Sequence, residues 1–254
     1  MKKIITALSS LVLSLLFVHT IAFSIHAQTS KVLVFSKTAA FRHNSIETGI
    51  EAIRKLGEQH NFSIKATEDA SVFTTDKLED YAAIIFLNTT GDVLNDEEQM
   101  KMEEYIQSDG GYVGIHAAAD TEYEWSWYGK LVGAYFNGHP GNPNVREATL
   151  NVLNHEHLST EGLPANWQRK DEWYNYKDIN EQNEVLIKID ESTYEGGTNG
   201  DNHPMAWYKE YDGGRAFYTG GGHTKETYAE PLFLQHLLGG IQYAMGISSS
   251  KAGK

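Results

Sequence analysis

The amino-acid sequence predicts an α/β fold with a mostly parallel central sheet and an antiparallel extension at the carboxyl-terminal end. Two observations support the parallel part: four short apolar runs lie in the first half of the chain, and patterns typical of amphipathic helices separate them. A third supports the extension, because the later apolar runs partly alternate with polar residues and are joined by short turns. The 254 residues are sufficient for one large domain.

The first half of the chain is expected to form strands joined by helices. The apolar runs lie at 31–36, 62–66, 82–88 and 112–115. One helix is expected to begin at Asn44, with Glu47 three residues later, and another at Asn95, followed by Glu98. Right-handed βαβ connections bring the carboxyl ends of parallel strands to one edge of the sheet, where ligands bind. The functional site is therefore expected at that edge.

The pattern changes after Asn137. Five further segments are typical of strands, and a final helix is expected at 231–245. The turn Asp212-Gly213-Gly214 predicts that the two strands beside it are antiparallel. The five segments are 145–153, 172–176, 185–189, 205–211 and 215–219.

The two ends of the chain differ from the domain between them. Lys2 and Lys3, an apolar run at 4–23 and small residues up to Ala27 form the pattern of an export signal. An uncleaved membrane anchor is the alternative, because the run approaches membrane-spanning length. We expect a leader at 1–27, one domain at 28–247 and a flexible tail at 248–254, with a periplasmic or secreted location.

The composition excludes several classes of function. The chain has no cysteine, which excludes thiol catalysis and disulfide stabilisation. Its formal net charge is -13 and no basic stripe is present, so nucleic-acid binding is not expected.

The segment from Gly110 to Asp120 is the most informative part of the sequence. Small residues flank His116 at the end of the fourth predicted strand, a pattern that suits a sharp strand-to-helix turn presenting one side chain. A hydrolase carries serine at such a turn, and an amidotransferase carries cysteine. Asp120 follows four residues after His116, so both side chains can face one direction, where Asp120 could orient the imidazole or share a metal with it. Capping of the next helix is the alternative role for Asp120.

Other histidines occupy similar positions. Five of the eleven follow predicted strands or lie in loops rich in glycine and proline: His43, His116, His139, His203 and His223. Their convergence on one edge would allow acid/base chemistry or binding of a divalent metal. The alternative is that they are exposed and have no function, and the sequence contains no characteristic spacing of metal ligands.

Aromatic and carboxylate residues add further candidates. Trp127, Tyr128, Tyr174 and Trp207 lie near these loops, where aromatic faces could bind sugar rings, although core packing is an equally good explanation. Asp171 and Glu172 are neighbouring carboxylates that could serve as an acid and a base. Because neighbouring strand residues point to opposite faces, at most one of them is expected in a site.

Several separated motifs, in order, resemble the ThuA-like (trehalose utilisation) family, over residues 31–246. The matching residues are Phe41-Arg42-His43, the segment from Gly110 to Thr121, Trp127-Tyr128, His139-Pro140, Asp171-Glu172 with Tyr174, His203-Pro204 with Trp207, and Gly214-Arg215 through His223. The resemblance implies a flavodoxin-like sandwich akin to class I glutamine amidotransferases, with His116 in place of the nucleophilic cysteine. It also implies a role in using disaccharides or glycosides, on keto-sugars made by a partner sugar dehydrogenase acting upstream.

Three functional hypotheses follow. The first is an exported enzyme that acts on a glycoside or keto-sugar by isomerisation, elimination or hydrolysis. In it, His116 and His223, with Glu172 as a weaker candidate, carry out acid/base chemistry, and Arg42, another histidine or a metal stabilises an oxyanion. The second is a non-catalytic periplasmic sugar-binding module, and the third is a metal-dependent glycoside-processing hydrolase. The residues expected to bind substrate are Arg42, His43, Asp120, Trp127, Tyr128, His139, Tyr174, His203 and Trp207.

Overall fold

The computed structural model describes residues 29–74 and 78–248. The predicted leader and nearly all of the predicted tail therefore lie outside the described residues. Within the described residues, no helix combines the length and apolar character needed to cross a membrane.

Nine strands form one large mixed sheet, in the order β2-β1-β3-β4-β11-β10-β9-β6-β7. Strands β2, β1, β3, β4 and β11 are parallel, and β10, β9, β6 and β7 continue the sheet in antiparallel fashion. Two short strands, β5 and β8, pair separately. The bounds are β1 Ser30–Phe35, β2 Phe62–Thr67, β3 Tyr81–Leu87, β4 Gly111–Ile115, β5 Tyr135–Phe136, β6 Val145–Val152, β7 Asn166–Glu172, β8 Tyr176–Lys177, β9 Glu184–Asp190, β10 Pro204–Tyr211 and β11 Gly214–Thr219.

In the described part of the chain, four α-helices accompany the sheet: α1 Ile46–His60, α2 Asp96–Gln107, α3 Ser126–Val132 and α4 Pro231–Ala244. The capping box predicted at Asn95 is confirmed, because its side chain accepts hydrogen bonds from the backbone of Glu97 and Glu98. The cap predicted at Asn44 is wrong: the helix begins after Ser45, which makes no side-chain cap. The Ser45 hydroxyl donates instead to the carbonyl of Gly222, which lies in a loop that contributes to the site described below.

The core lies on both faces of the central parallel strands, whose apolar residues are almost completely buried. Helix α4 approaches the sheet closely because it carries glycine at its contact: a Cβ on Gly240 would lie 2.1 Å from a ring carbon of Phe217. Such tight packing fixes the carboxyl edge of β4 and β11 relative to each other.

The predicted α/β fold with an antiparallel extension is confirmed, with two local differences. Strand β11 pairs in parallel with β4 and antiparallel with β10, so it joins the two parts of the sheet. The strand predicted at 172–176 is wrong, because β7 ends at Glu172 and the next pairing begins only at Tyr176. The chain leaves the sheet between them, at the edge where the site lies.

Candidate active site

His116 occupies the sharp turn at the end of β4. Its φ of +48° lies in the left-handed region, which non-glycine residues rarely adopt, and a short 3₁₀ helix, His116–Asp120, follows directly. Its carbonyl accepts a hydrogen bond from the Tyr218 hydroxyl at 2.7 Å. Its Nδ1 lies 2.9 Å from the carbonyl oxygen of Gly220. Because a carbonyl can only accept, Nδ1 carries the proton, and the Nε2 of the neutral ring is left as a lone-pair donor.

Four side chains from distant parts of the sequence meet at this turn: His43, His116, Glu172 and His223. One nitrogen of each imidazole and a carboxylate oxygen of Glu172 all lie within 4.8 Å of one another. Glu172 Oε2 is 3.3 Å from His116 Nε2 and 3.1 Å from His223 Nδ1. His43 lies in the loop after β1, Glu172 ends β7 and His223 lies in the loop after β11, so the cluster joins residues from separate parts of the sheet.

One nitrogen of each imidazole in this cluster lacks a hydrogen-bond partner. His43 Nδ1, His116 Nε2 and His223 Nδ1 are buried and make no hydrogen bond within the described residues. Glu172 Oε2 lies near two of them, but not in a direction that gives a hydrogen bond. Buried polar atoms in folded proteins are nearly always paired, so three orphaned nitrogens around one carboxylate indicate a ligand between them.

The electrostatics of the cluster keep its donors largely ready for a cation. Burial, followed by the charges of His116 and His223, lowers the pKa of His43 to about 2, so its ring is neutral at physiological pH. Burial alone would raise the pKa of Glu172, but the imidazoles of His116 and His223 close to its Oε2 outweigh burial and hold that pKa far below its usual range. Burial opposes charge on His223, whereas the neighbouring Glu172 raises its pKa overall. A metal would have to displace that proton.

The donor set fits a divalent transition metal. Three imidazole nitrogens and one carboxylate oxygen are ligands typical of zinc and of related ions such as iron or manganese. Tetrahedral bonds of 2.0–2.1 Å would separate neighbouring donors by roughly 3.3 Å. The two separations around Glu172 Oε2, 3.1 and 3.3 Å, are close to that value. Glu172 Oε1 is held by Asn144 Nδ2, which leaves Oε2 for the cluster.

A buried polar network positions the loop that carries His223. Asp171 is fully buried, and its Oδ2 accepts hydrogen bonds from Gly222 N at 2.9 Å and the Thr227 hydroxyl at 2.8 Å. Arg169 lies 3.3 Å from the same oxygen. On the other side, Asn88 Nδ2 donates to the Gly222 carbonyl at 3.2 Å. Of the two neighbouring carboxylates, Glu172 therefore reaches the cluster and Asp171 supports it.

An aromatic wall covers one side of the cluster. The ring of Tyr174 packs 4.1 Å from that of His116, and Phe136 packs 4.2 Å from Tyr174. His139, whose side chain is partly exposed, lies with its Nδ1 3.7 Å from Glu172 Oε1. On another side, Phe41 packs 4.9 Å from His43 while remaining 63 % exposed. Together with Asp120, these residues form the rim of the site.

Five residues predicted to bind substrate lie elsewhere: Arg42, Trp127, Tyr128, His203 and Trp207. Trp207 is buried in the core and donates to the carbonyl of Val132. Tyr128 is also buried and donates to the carbonyl of Ala118, where it supports the turn after His116. Trp127 donates to Asp212, in the turn before β11 at the opposite edge of the sheet.

The two polar residues of this group are already paired. Arg42 forms ion pairs with Glu47 at 2.8 Å and Glu68 at 2.7 Å. Both nitrogens of His203 are engaged: Nε2 donates to the carbonyl of Tyr174, and Nδ1 lies 2.7 Å from Glu191. His203 thus supports the backbone of the aromatic wall without facing the cluster.

Several residues of the site were not identified from the sequence. Ser45, Asn88 and Asn144 hold the loop of His223 and the carboxylate of Glu172, but isolated polar residues carry no distinguishing pattern. Phe41 could have been found, because a large aromatic residue directly beside a candidate histidine in a polar loop is a plausible sugar contact.

Comparison with solved structures identifies similar proteins. A ThuA-like protein from Bacteroides uniformis ATCC 8492 is 25 % identical, with a TM-score of 0.73 over 89 % of this chain and 94 % of that one. A ThuA-like protein from Parabacteroides merdae ATCC 43184 is 19 % identical, with a TM-score of 0.71 over 88 % and 92 %. A β-galactosidase from Bacillus circulans sp. alkalophilus shares the fold at 13 % identity and a TM-score of 0.55, over 87 % of this chain and 32 % of the enzyme.

Sequence comparison gives the family. A search of curated proteins finds no significant match. The profile of the ThuA family, described as trehalose utilisation, matches residues 31–244, which is most of the chain and includes all four residues of the cluster. The fold of the solved ThuA-like proteins is the class I glutamine amidotransferase-like fold expected from the sequence. The chain belongs to the ThuA family of carbohydrate-utilisation proteins.

Proposed function

We propose that this protein is an enzyme that acts on a glycoside or keto-sugar at a divalent metal centre formed by His43, His116, Glu172 and His223. The observation that carries the proposal is the set of three buried, unpartnered imidazole nitrogens around one carboxylate oxygen. A purely structural cluster would pair these nitrogens with one another or with the backbone. A sugar-binding module would need no such arrangement.

The chain's own residues would hold, orient and shield the substrate. The rim residues His139 and Phe41 would lie beside a bound sugar, and a bound divalent ion would stabilise negative charge that develops on a sugar oxygen. Tyr174 and Phe136 would exclude water from the ligand side of the cluster, and exposed Phe41 offers an apolar face for a sugar ring. This assignment changes the role inferred from the sequence, because His116 and His223 become metal ligands and are no longer the acid and the base.

The setting of the reaction is also part of the proposal. We infer that the protein is exported to the periplasm or secreted, on the pattern of its first 27 residues. A keto-sugar substrate requires a preceding oxidation of a sugar hydroxyl, so a sugar dehydrogenase would act upstream. Isomerisation, elimination and hydrolysis are the candidate outcomes.

Metal binding is tested first, without any substrate. The purified chain is loaded with zinc, manganese or iron(II), dialysed, and its metal content measured by mass spectrometry. We expect about one ion per chain, and its loss in Glu172→Gln and His223→Ala, whereas the exposed His60→Ala retains it. A wild type that retains no metal after loading with any of the three would contradict the metal centre.

Catalysis is tested with a panel of disaccharides, aryl glycosides and their 3-keto derivatives. Mass spectrometry detects hydrolysis or water loss, and NMR detects isomerisation, which leaves the mass unchanged. Turnover that survives in both His116→Ala and His223→Ala would reject this active site. Binding by calorimetry with no product after long incubation would favour the sugar-binding module.

A further inference from the structure

We propose that Asp120 is the residue that transfers a proton to or from the substrate, with Tyr123 holding its carboxylate in place. The inference rests on the proposed function, because it assumes that a sugar lies against the cluster of His43, His116, Glu172 and His223. Once these four residues hold a metal, none of them is free to exchange protons with substrate. A proton-transfer residue is then required from the rim of the site.

Most other ionisable groups near the cluster are already engaged. Asp171 Oδ2 accepts three hydrogen bonds within the buried network of Arg169 and Thr227. His203 has both nitrogens paired, and Arg42 is held by two glutamates. Among the carboxyl and imidazole groups of the described residues, Asp120 and His139 remain at the rim.

Asp120 is fixed through one oxygen and free at the other. It ends the short helix that begins at His116, and it is neither fully buried nor fully exposed. The Tyr123 hydroxyl donates to its Oδ1 at 2.6 Å, while Oδ2 makes no hydrogen bond within the described residues. The same hydroxyl lies 3.3 Å from the carbonyl of Phe136, and its ring stacks on Tyr135 at 5.0 Å. The carboxylate is therefore held on the aromatic wall that covers His116.

The electrostatic surroundings suit a proton-transfer role. Burial raises the pKa of the Asp120 carboxyl, opposed by the Tyr123 hydrogen bond and by interactions with His116 and His139. A carboxylate that is more basic than usual and has a free oxygen beside an electrophilic centre can accept a proton near neutral pH.

His139 is the weaker candidate. Its Nδ1 donates to the carbonyl of Pro140 at 2.8 Å and lies 3.7 Å from Glu172 Oε1. Its Nδ1 is taken up by its own loop, whereas Asp120 keeps one carboxylate oxygen free. We therefore assign His139 to substrate positioning.

The proposed step on a keto-sugar balances without any further reagent. Asp120 Oδ2 takes the proton from the carbon next to the carbonyl, the C–H electron pair forms a carbon–carbon double bond, and the carbonyl π pair moves to oxygen. Protonated Asp120 exchanges its proton with solvent and returns a proton to the same carbon while the oxyanion pair re-forms the carbonyl, which gives hydrogen exchange. For isomerisation, the proton of the hydroxyl on that carbon first moves to the oxyanion; the newly deprotonated oxygen then forms the new carbonyl, and the double-bond pair takes the proton of Asp120 at the former carbonyl carbon. Alternatively, the oxyanion pair returns to re-form the carbonyl, the double-bond pair expels an oxygen substituent one carbon further on, and Asp120 gives that oxygen its proton.

The step is tested by deuterium exchange, which requires no knowledge of the final product. Metal-loaded protein is mixed with methyl 3-keto-α-D-glucopyranoside in D₂O, and loss of the proton signals beside the carbonyl is followed by NMR. We expect Asp120→Asn to slow exchange by at least about 100-fold, at the low end of what general acid–base catalysis supplies. Asp120→Glu should retain part of the rate, and Tyr123→Phe should fall between Asp120→Asn and wild type.

The controls separate this inference from the proposed function. Asp120→Asn must bind as much metal as wild type, and the exposed Glu124→Gln should exchange at the wild-type rate. Exchange in Asp120→Asn within threefold of wild type, with His139→Gln inactive, would overturn the assignment and leave the metal centre and the sugar chemistry intact. A metal-loaded wild type that neither exchanges nor converts any keto-sugar would overturn the assignment together with the proposed function.

Discussion

Replacing Asp171 with asparagine tests the claim that this buried carboxylate supports the site without taking part in chemistry. Its Oδ2 accepts hydrogen bonds from Gly222 N and Thr227 and pairs with Arg169, and its Oδ1 accepts from the backbone N–H of Glu172 at 3.0 Å. The substitution keeps the shape but removes the charge. It also replaces one carboxylate oxygen with an N–H₂ group, so the neighbouring hydrogen-bond donors lose an acceptor.

The size of the effect follows from what remains around Arg169. Removing one partner of a buried ion pair costs about 3–5 kcal/mol. Arg169 keeps a second carboxylate, because its Nε lies 3.1 Å from Glu230, so the lower end of that range applies. We expect Asp171→Asn to lose about 3 kcal/mol of unfolding free energy, which for a domain of this length lowers Tm by about 6–12 °C.

The assay is urea and thermal unfolding followed by circular dichroism, with Asp178→Asn as the matched control. Asp178 is exposed and has a φ of +51°, which asparagine tolerates, so its variant should stay within about 0.5 kcal/mol of wild type. Asp171→Asn should also weaken metal binding by about 10–100-fold, because the loop of His223 loses its anchor. An unfolding free energy within 1 kcal/mol of wild type would refute the supporting role of Asp171.

Three other predictions concern residues outside the proposed set of metal ligands. Burial lowers the pKa of His236 to about 3, so between pH 6.5 and 3 the unfolded chain binds a proton that the folded chain does not, and the free energy of unfolding should fall as the pH falls. In urea unfolding, the change of this free energy with pH should be about 1.4 kcal/mol per pH unit smaller in His236→Gln than in wild type. Equal slopes in the two proteins would contradict this. In Gly114→Val, a Cβ would lie 2.9 Å from Tyr112 and Tyr218, so calorimetry should show a loss of about 1–3 kcal/mol of unfolding free energy. Unchanged stability would mean that the chain around Gly114 can relax. Phe41→Ala should weaken binding of a keto-glucoside about threefold to tenfold in titration calorimetry, with stability unchanged. Trp127→Ala should not alter binding. The reverse pattern would restore Trp127 as the residue that binds substrate.

The fold was predictable because its strands have an unambiguous period. The first predicted strand, 31–36, differs from β1 by one residue at each end, and the box at Asn95 fixed the start of α2. The prediction of a strand at 172–176 failed because the chain leaves the sheet after Glu172, whose side chain lies in the site. Local pattern cannot distinguish a strand that continues from one that ends for a functional reason.

The site was predictable in its histidines and less so in everything else. His43, His116 and His223 follow strands whose carboxyl ends share an edge, and topology alone brings them together. Glu172 joins them from β7, at the far end of the sheet order, because the chain leaves the sheet at that point. The structure places Trp127 and Trp207 away from the cluster, and composition does not show which way a side chain points: Trp207 lies on the buried side of β10 and stacks on Tyr218.

The turn that carries His116 is the reason why we propose metal ligands at this site and a base elsewhere. The left-handed φ directs the side chain out of the strand end, as it would a nucleophile, but the Gly220 carbonyl then fixes the proton on Nδ1. A general base must take up and release a proton, and His116 Nε2 points at a carboxylate and two further imidazoles, where substrate cannot reach it. The same fixed tautomer makes it a well-oriented metal ligand. Proton transfer must therefore come from a group with a free atom at the rim, and among the described residues Asp120 meets that condition best.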